Sequence, residues 1–214
     1  MINIVCIYTC LKDENKLNVF KNTSLYKKLI DSPHIVLEVY SNSDENKQIG
    51  NKLFLCGNDS YSELSIKTYE MISYCVKNYK FDNIIKIDSS LCYNETLETE
   101  TWRKNFTPEA IEKFVERKNF NDYDGVLYTS VTQDSFKQWA IRKKLKVSCV
   151  KSLIGSTTLN RFYLGKCYSV SYKFASYIME NYKKESYLYK ERYGGIEDLF
   201  IGKIYYNFRV NKID

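Results

Sequence analysis

A chain of 214 residues with 44% hydrophobic and 27% charged residues can bury a sizeable core without a disulfide or metal staple. Two prolines and eight glycines form no tract, which excludes disordered and collagen-like polymers. The net charge of +6 comes from lysines interleaved with acids, a solvated surface first and a groove for a phosphate-bearing ligand second; no basic stripe with interleaved aromatics points to nucleic acid.

Ile2–Thr9 is mostly apolar and predicts a first strand ending in Tyr8-Thr9. Asp13–Ile30, apolar at Leu17, Phe20, Leu25 and Leu29, predicts a helix with poorly marked ends. Ile35–Ser41 predicts a second strand, closed by the polar cluster Asn42–Asn46, and Leu53–Cys56 a third, ended by Gly57-Asn58. Asp59–Tyr79 carries the clearest helical period, with Tyr69, Ile72, Val76 and Tyr79 on one face. Ile84, Ile85 and Ile87 then form a short apolar run that stops at Asp88 and two serines. A buried parallel strand that delivers a carboxylate to a sheet edge has this pattern. Strand, helix and strand in this order predict a parallel crossover, so residues 1–94 read as a nucleotide-binding α/β half.

Residues 95–214 read as an acceptor-binding half. Thr107-Pro108 marks a helix start, with Ile111, Phe114 and Val115 as its apolar face. Gly125–Ser130 predicts a strand, and Arg161–Ser171 another with a break at Gly165. Ser171 is placed to cap a helix through Phe174, Ala175, Ile178 and Tyr182. Gly194-Gly195 turns the chain into a short helix opened by Glu197 and Asp198, and Tyr205–Val210 predicts an edge strand. Seven cysteines without C-x-x-C spacing, several inside apolar runs, predict reduced buried thiols in a cytoplasmic protein. No stretch is long and apolar enough for a membrane span. An open α/β sheet collects ligands at the carboxyl ends of its strands, so the Asp88 and Asp198 segments are expected to face one cleft.

Three segments carry more than periodicity. The first runs from Asp59 through Tyr61, Leu64, Lys67 and Thr68 to Lys86, Asp88 and Asn94; the second holds Gly165, Tyr168 and Ser171; the third holds Glu197, Asp198 and Gly202. They resemble, in order, the D-x-Y-x-N-L-T-x-K-T and K-x-D-D-D motifs, the Y-x-x-G-x-G-Y segment and the E-D-V-x-x-G motif of the inverting β-1,3-glycosyltransferases, the β-1,3-galactosyltransferase and Fringe group. The resemblance implies one nucleotide-sugar-binding domain of the glycosyltransferase A type, a Rossmann-like mixed sheet flanked by helices. It implies a UDP-sugar donor, a glycan or other hydroxyl acceptor, and transfer with inversion. Asp198 then falls on the catalytic base, with Glu197 beside it to orient a basic neighbour or to touch the acceptor. Asp88, Ser89 and Ser90 fall on the donor-binding motif, with Lys67 and Lys86 as candidates for neutralising the diphosphate. Tyr8 and Thr9, at the first strand end, are where the uracil is expected by analogy of fold. A divalent cation, Mn²⁺ or Mg²⁺, would be held through Asp88 and water.

The sequence departs from the family at that point. Ser89 and Ser90 replace two carboxylates, Gly165-Lys166-Cys167 replaces G-x-G, and the one histidine, His34, comes too early to be a late metal ligand. Each residue also has a plainer reading: Glu197 and Asp198 as helix caps, ionised by the helix dipole, Asp88 as a turn former, the lysines as solvated charges. Two rival functions remain open at this stage. One is a sugar-nucleotide-binding protein without turnover. The other is a nucleotidyltransferase, which would be expected to carry a Gly- and Arg-rich loop after the first strand, and Val5–Glu14 has none.

Overall fold

The computed structural model describes residues 1–60, 63–92, 105–130, 161–181 and 197–210. The first strand, β1 (Asn3–Tyr8), is buried along its whole length. Ile4, Cys6 and Tyr8 enter one core cluster while Val5 and Ile7 enter a second. Burial on both faces is why its sequence is continuously apolar rather than alternating.

The expected helix over Asp13–Ile30 is two helices, α1 (Glu14–Lys21) and α2 (Ser24–Asp31). Thr23 makes the break: its hydroxyl donates to the Phe20 carbonyl at 2.6 Å and accepts the Tyr26 N–H at 3.2 Å. The side chain thus closes one helix and caps the next. Strand β2 (Ile35–Ser43) follows, then β3 (Lys47–Ile49) and β4 (Lys52–Cys56), joined by a two-residue turn in which Gly50 takes a φ of 59°. Helix α3 (Leu64–Asn78) starts later than its period suggested, and its deepest residues include Thr68, Met71, Ile72 and Cys75. Tyr69, Val76 and Tyr79 pack at the margin of the core instead. Strand β5 (Asn83–Asp88) and α4 (Pro108–Val115) lie as expected, the Thr107 hydroxyl accepting the Ala110 N–H at 3.2 Å.

The run Gly125–Ser130 divides between two sheets, as the end of β6 (Tyr123–Gly125) and as β7 (Tyr128–Ser130), which pairs with β8 (Arg161–Tyr163). Gly125 permits this crossing, since a Cβ there would lie 2.5 Å from Tyr163 Cβ. After the break at Gly165 comes β9 (Cys167–Ser171), and Ser171 Oγ accepts the Phe174 N–H at 3.1 Å to cap α5, over residues 172–181.

Tyr205–Val210 is helical, not an edge strand: it completes α6 (Glu197–Val210). Glu197, Ile201, Ile204 and Phe208 are its buried stripe, spaced four, three and four. That period belongs to a helix face, and the short stretch from Tyr205 hid it by being viewed alone. Tyr61, Asn94, Tyr182 and the Gly194-Gly195 pair lie outside the described residues.

The main sheet has the order β3-β4-β2-β1-β5-β9-β6. Strands β4, β2, β1 and β5 run parallel, while β3 and β9 run antiparallel to their neighbours. Helices α1, α2 and α4 cover one face and α3, α5 and α6 the other. The protein is therefore mixed α/β, with strands from both sides of residue 94 in one sheet. No helix among the described residues is long and apolar enough to cross a membrane. From β1 the chain moves outward to β2 and β4, then returns to β5 on the other side. This reversal puts a topological switch point between β1 and β5, where Tyr8 lies in register with Asp88.

Candidate functional site

The carboxyl ends of β1 and β5 form one wall of the site. Past Asp88 the chain winds into a 3-10 turn, Ser89–Cys92, and the Ser90 N–H donates to Asp88 Oδ1 at 2.9 Å. Because β9 is antiparallel to β5, its start arrives at the same edge, and the Asp88 N–H donates to the Lys166 carbonyl at 2.9 Å. The Lys166 ammonium donates to Ser90 Oγ at 2.5 Å and lies 3.5 Å from Asp88 Oδ2. Burial pushes the Asp88 carboxyl up, but the charges of Lys166 and Lys86 and the Ser90 N–H outweigh it and hold it below the usual carboxylate range.

The start of α6 forms the other wall, and Gly165 joins the two. Its N–H donates to Asp198 Oδ2 at 3.3 Å, while the Leu199 N–H donates to Asp198 Oδ1 at 3.0 Å. Its carbonyl accepts from the Lys86 ammonium, which also bonds Glu197 Oε2 at 2.9 Å. Glu197 Oε1 accepts from the Tyr168 hydroxyl. Glu197 is buried, with both oxygens bonded inward, so it props the site from behind and does not face an acceptor. Asp198 is half-buried. Burial, then the neighbouring Glu197 charge, push its carboxyl up to about 6 against the opposing Gly165 N–H, Lys86 and Leu199 N–H. The helix start was expected to keep this carboxyl ionised; desolvation and a like charge raise its proton affinity without making it neutral at pH 7.

Gly165 has to be glycine. A Cβ there would sit 2.8 Å from Glu197 Oε2 and 3.6 Å from Asp198 Cβ, and Glu197 cannot swing away without leaving Lys86 and Tyr168. Gly165→Ala is therefore expected to lower stability by about 1–3 kcal/mol, the range for overpacking a filled interior. Denaturant unfolding of the two proteins checks this.

The remaining expected donor contacts are structural supports. Tyr8 is buried, its hydroxyl donating to Thr68 Oγ1 at 2.9 Å, and its ring lies 4.5 Å from the Lys86 ammonium and 5.3 Å from that of Lys67. No open ring face is left there for a base to stack on. Lys67, only 4% exposed, bonds the Thr9 carbonyl at 2.5 Å and Asp59 Oδ1 at 2.8 Å. Burial lowers its pKa more than Asp59 restores it. Asp59, Lys67 and Thr68 thus strap α3 to the end of β1, and Thr9 takes part through its carbonyl. Lys86 is likewise consumed by Glu197. Ser89 is buried beneath the edge, and Ser90 stands half-exposed beside Lys166.

No family model and no curated protein matches the chain. The resemblance thus rests on the three segments quoted above, of which the structure brings Asp88, Gly165, Glu197 and Asp198 together, while Ser171 lies at the far end of β9.

The donor set suits a divalent cation poorly. Asp88 is the lone carboxylate beside two neutral serines, with its oxygens turned to the Ser90 N–H and the Lys166 ammonium. The described residues contain no group of three or more His, Cys, Asp or Glu side chains able to hold a metal. His34 precedes β2 at the opposite edge of the sheet. Lys166, to which the sequence assigned no role, also stands at this edge beside Ser90 and Asp88; its position inside the glycine motif was the one signal.

Proposed function

We propose that the protein is an inverting glycosyltransferase that moves a sugar from a UDP-sugar to a hydroxyl acceptor, on a sheet of the glycosyltransferase A type. The observation that carries this reading is the meeting of the Asp88 segment and the half-buried Asp198 at the switch point, with the Asp198 carboxyl raised to about 6. Inverting transfer needs a base on the side opposite the leaving group. Asp198 would take the proton of the acceptor hydroxyl as that oxygen attacks the anomeric carbon, and the bond to the diphosphate oxygen breaks on the far side. A carboxylate near 6 is a stronger base than an ordinary one and is still largely ionised at neutral pH. Gly165 and Leu199 hold it through backbone N–H groups, so its position does not depend on flexible side chains. Asp88, kept ionised and one-third exposed, would accept hydrogen bonds from the donor's ribose hydroxyls.

Incubation with a panel of UDP-sugars, followed by measurement of UDP release with and without hydroxyl acceptors, tests the reading. Release from one donor, faster with an acceptor, is the expected result. UDP binding without release from any donor would put a sugar-nucleotide-binding protein in its place. Neither binding nor release would overturn it.

A further inference from the structure

We propose that Tyr123 is a positioning residue for Asp198, its ring set against α6 and its hydroxyl holding the strand that leads into Gly165, so that the Gly165 N–H meets the Asp198 carboxylate. The proposal takes the role of Asp198 as base from the function proposed above; the contacts that position Asp198 stand independently of it.

Tyr123 and Gly125 are two residues apart in β6 and so lie on one face of that strand. The Tyr163 side chain of β8 fills the space over Gly125, where a Cβ would lie 2.5 Å from it. Its ring then meets that of Tyr123 edge to face, with centroids 5.0 Å apart and planes at 88°. This close approach brings the backbone of β8 within reach as well. The Tyr123 hydroxyl accepts the Tyr163 N–H at 3.3 Å and donates to the Tyr163 carbonyl at 3.4 Å. One residue on, the Leu164 N–H donates to the Leu127 carbonyl at 3.0 Å. The next N–H is that of Gly165, on Asp198 Oδ2 at 3.3 Å. The direction of this last bond is thus set by a segment held at the two residues before it.

The same side chain registers the other partner of the bond. The Tyr123 ring lies 5.3 Å from the ring of Tyr205, which stands about two turns past Asp198 on α6. It also lies 5.8 Å from Tyr168 of β9 and 5.9 Å from Phe174 of α5. At 3% exposed, the ring is confined by neighbours from four elements, and a hydroxyl on so confined a ring holds β8 instead of following it. Burial, then the Asp198 charge, raise the Tyr123 hydroxyl well above its ordinary pKa, which keeps its proton for the Tyr163 carbonyl. Apolar packing alone would be served as well by phenylalanine; the hydroxyl adds the hold on β8.

Tyr123→Phe removes the hydroxyl and keeps the ring. Its unfolding midpoint should fall by only about 2–4 °C, the shift for loss of one hydrogen bond in a chain of this size. The Asp198 titration, followed by carbon-13 NMR of the carboxyl carbon, should move up by about 0.5–1 pH unit, because a loosened Gly165 N–H favours the charged form less. Glu197 and Lys86, the charges that act on Asp198, are unaltered by the substitution. At neutral pH kcat for sugar transfer should fall about tenfold with KM for the donor within about twofold, the pattern of a group misplaced in the transition state. Ile111→Val, on the opposite face of the sheet, destabilises by packing alone and should leave the titration in place. A folded Tyr123→Phe whose Asp198 titration does not move would overturn the inference and leave the proposed transferase standing. A shifted titration in a protein whose wild type transfers sugar from no donor would uphold Tyr123 and sink the transferase. Should Tyr123→Phe not fold, amide hydrogen exchange of the wild type decides instead: the Tyr163 and Gly165 N–H groups should exchange at matching rates, as parts of one opening unit. Gly165 exchanging more than about tenfold faster than Tyr163 would mean that the two are not held together and would overturn the inference.

Discussion

Asp198→Asn is expected to lower sugar transfer by about 10²- to 10⁴-fold, the usual contribution of a positioned general base, while UDP affinity stays within about twofold. The replacement keeps the shape of the side chain. The carboxamide oxygen can still accept one of the two N–H groups that hold Asp198, from Gly165 or from Leu199; the other N–H would meet an NH₂ group. That loss, about 1 kcal/mol, is opposed by removing a buried negative charge from beside Glu197. The folded protein should therefore survive, and the defect should appear in turnover alone. Initial rates at saturating donor, with binding measured in parallel, decide it. A twofold loss of rate would return Asp198 to the status of a helix-capping residue.

The pH profile of the wild type carries the same information. Transfer needs Asp198 ionised, so the rate should fall tenfold per pH unit below about 6 and level off above it. The effect on stability has the opposite sense. A carboxyl whose folded pKa is raised from 3.8 to about 6 makes the native state the better proton acceptor between those values. Its contribution to stability therefore declines as pH rises through that window and is constant above it. Asp88, held below the ordinary range, works the other way: its contribution is present above the ordinary carboxylate pKa and is lost as the medium becomes more acidic. Asp198 thus costs stability at the pH where the proposed base would be ionised, and Asp88 supplies some.

Local chemistry explains which parts of this arrangement could be read from the chain. Strand β5 was legible because Ile84, Ile85 and Ile87 run apolar up to a carboxylate, and burial on both faces forces that pattern. Thr107-Pro108 and Ser171 were legible because a capping hydroxyl acts within three residues of itself. The partnership of Glu197 with Lys86 was not, since it spans 111 positions and depends on the antiparallel arrival of β9, which no local pattern encodes. The same gap hid the fate of Lys67, whose long stem lies in the core while its ammonium finds the Thr9 carbonyl and Asp59. A lysine on a polar stretch reads as solvated until tertiary structure buries it. The three motif segments marked Asp88, Gly165 and Asp198, which converge, and also Ser171, which lies at the far end of β9. They could not say which of these face a ligand and which hold the others in place.

Breaking the buried pair behind the site should have the largest effect on stability. Lys86→Met leaves Glu197 buried with the Tyr168 hydroxyl as its remaining partner, and loss of one member of a buried ion pair costs about 3–5 kcal/mol. For a chain of this size the unfolding midpoint should drop by about 6–20 °C. Lys86→Met combined with Glu197→Gln removes both charges and should recover a large part of that loss, since the penalty comes mainly from the charge left alone. A double-mutant cycle of unfolding free energies measures the coupling; strictly additive losses would mean that the two side chains do not act as a pair. Glu197→Gln also has a signature that a purely structural prop would lack. Glu197 is, after burial, the main influence raising the Asp198 carboxyl, so removing its charge should shift the acid limb of the rate profile to lower pH. An unmoved limb would restrict Glu197 to packing. A limb displaced downward with turnover retained at neutral pH would show that the buried pair sets the proton affinity of the base as well as its position.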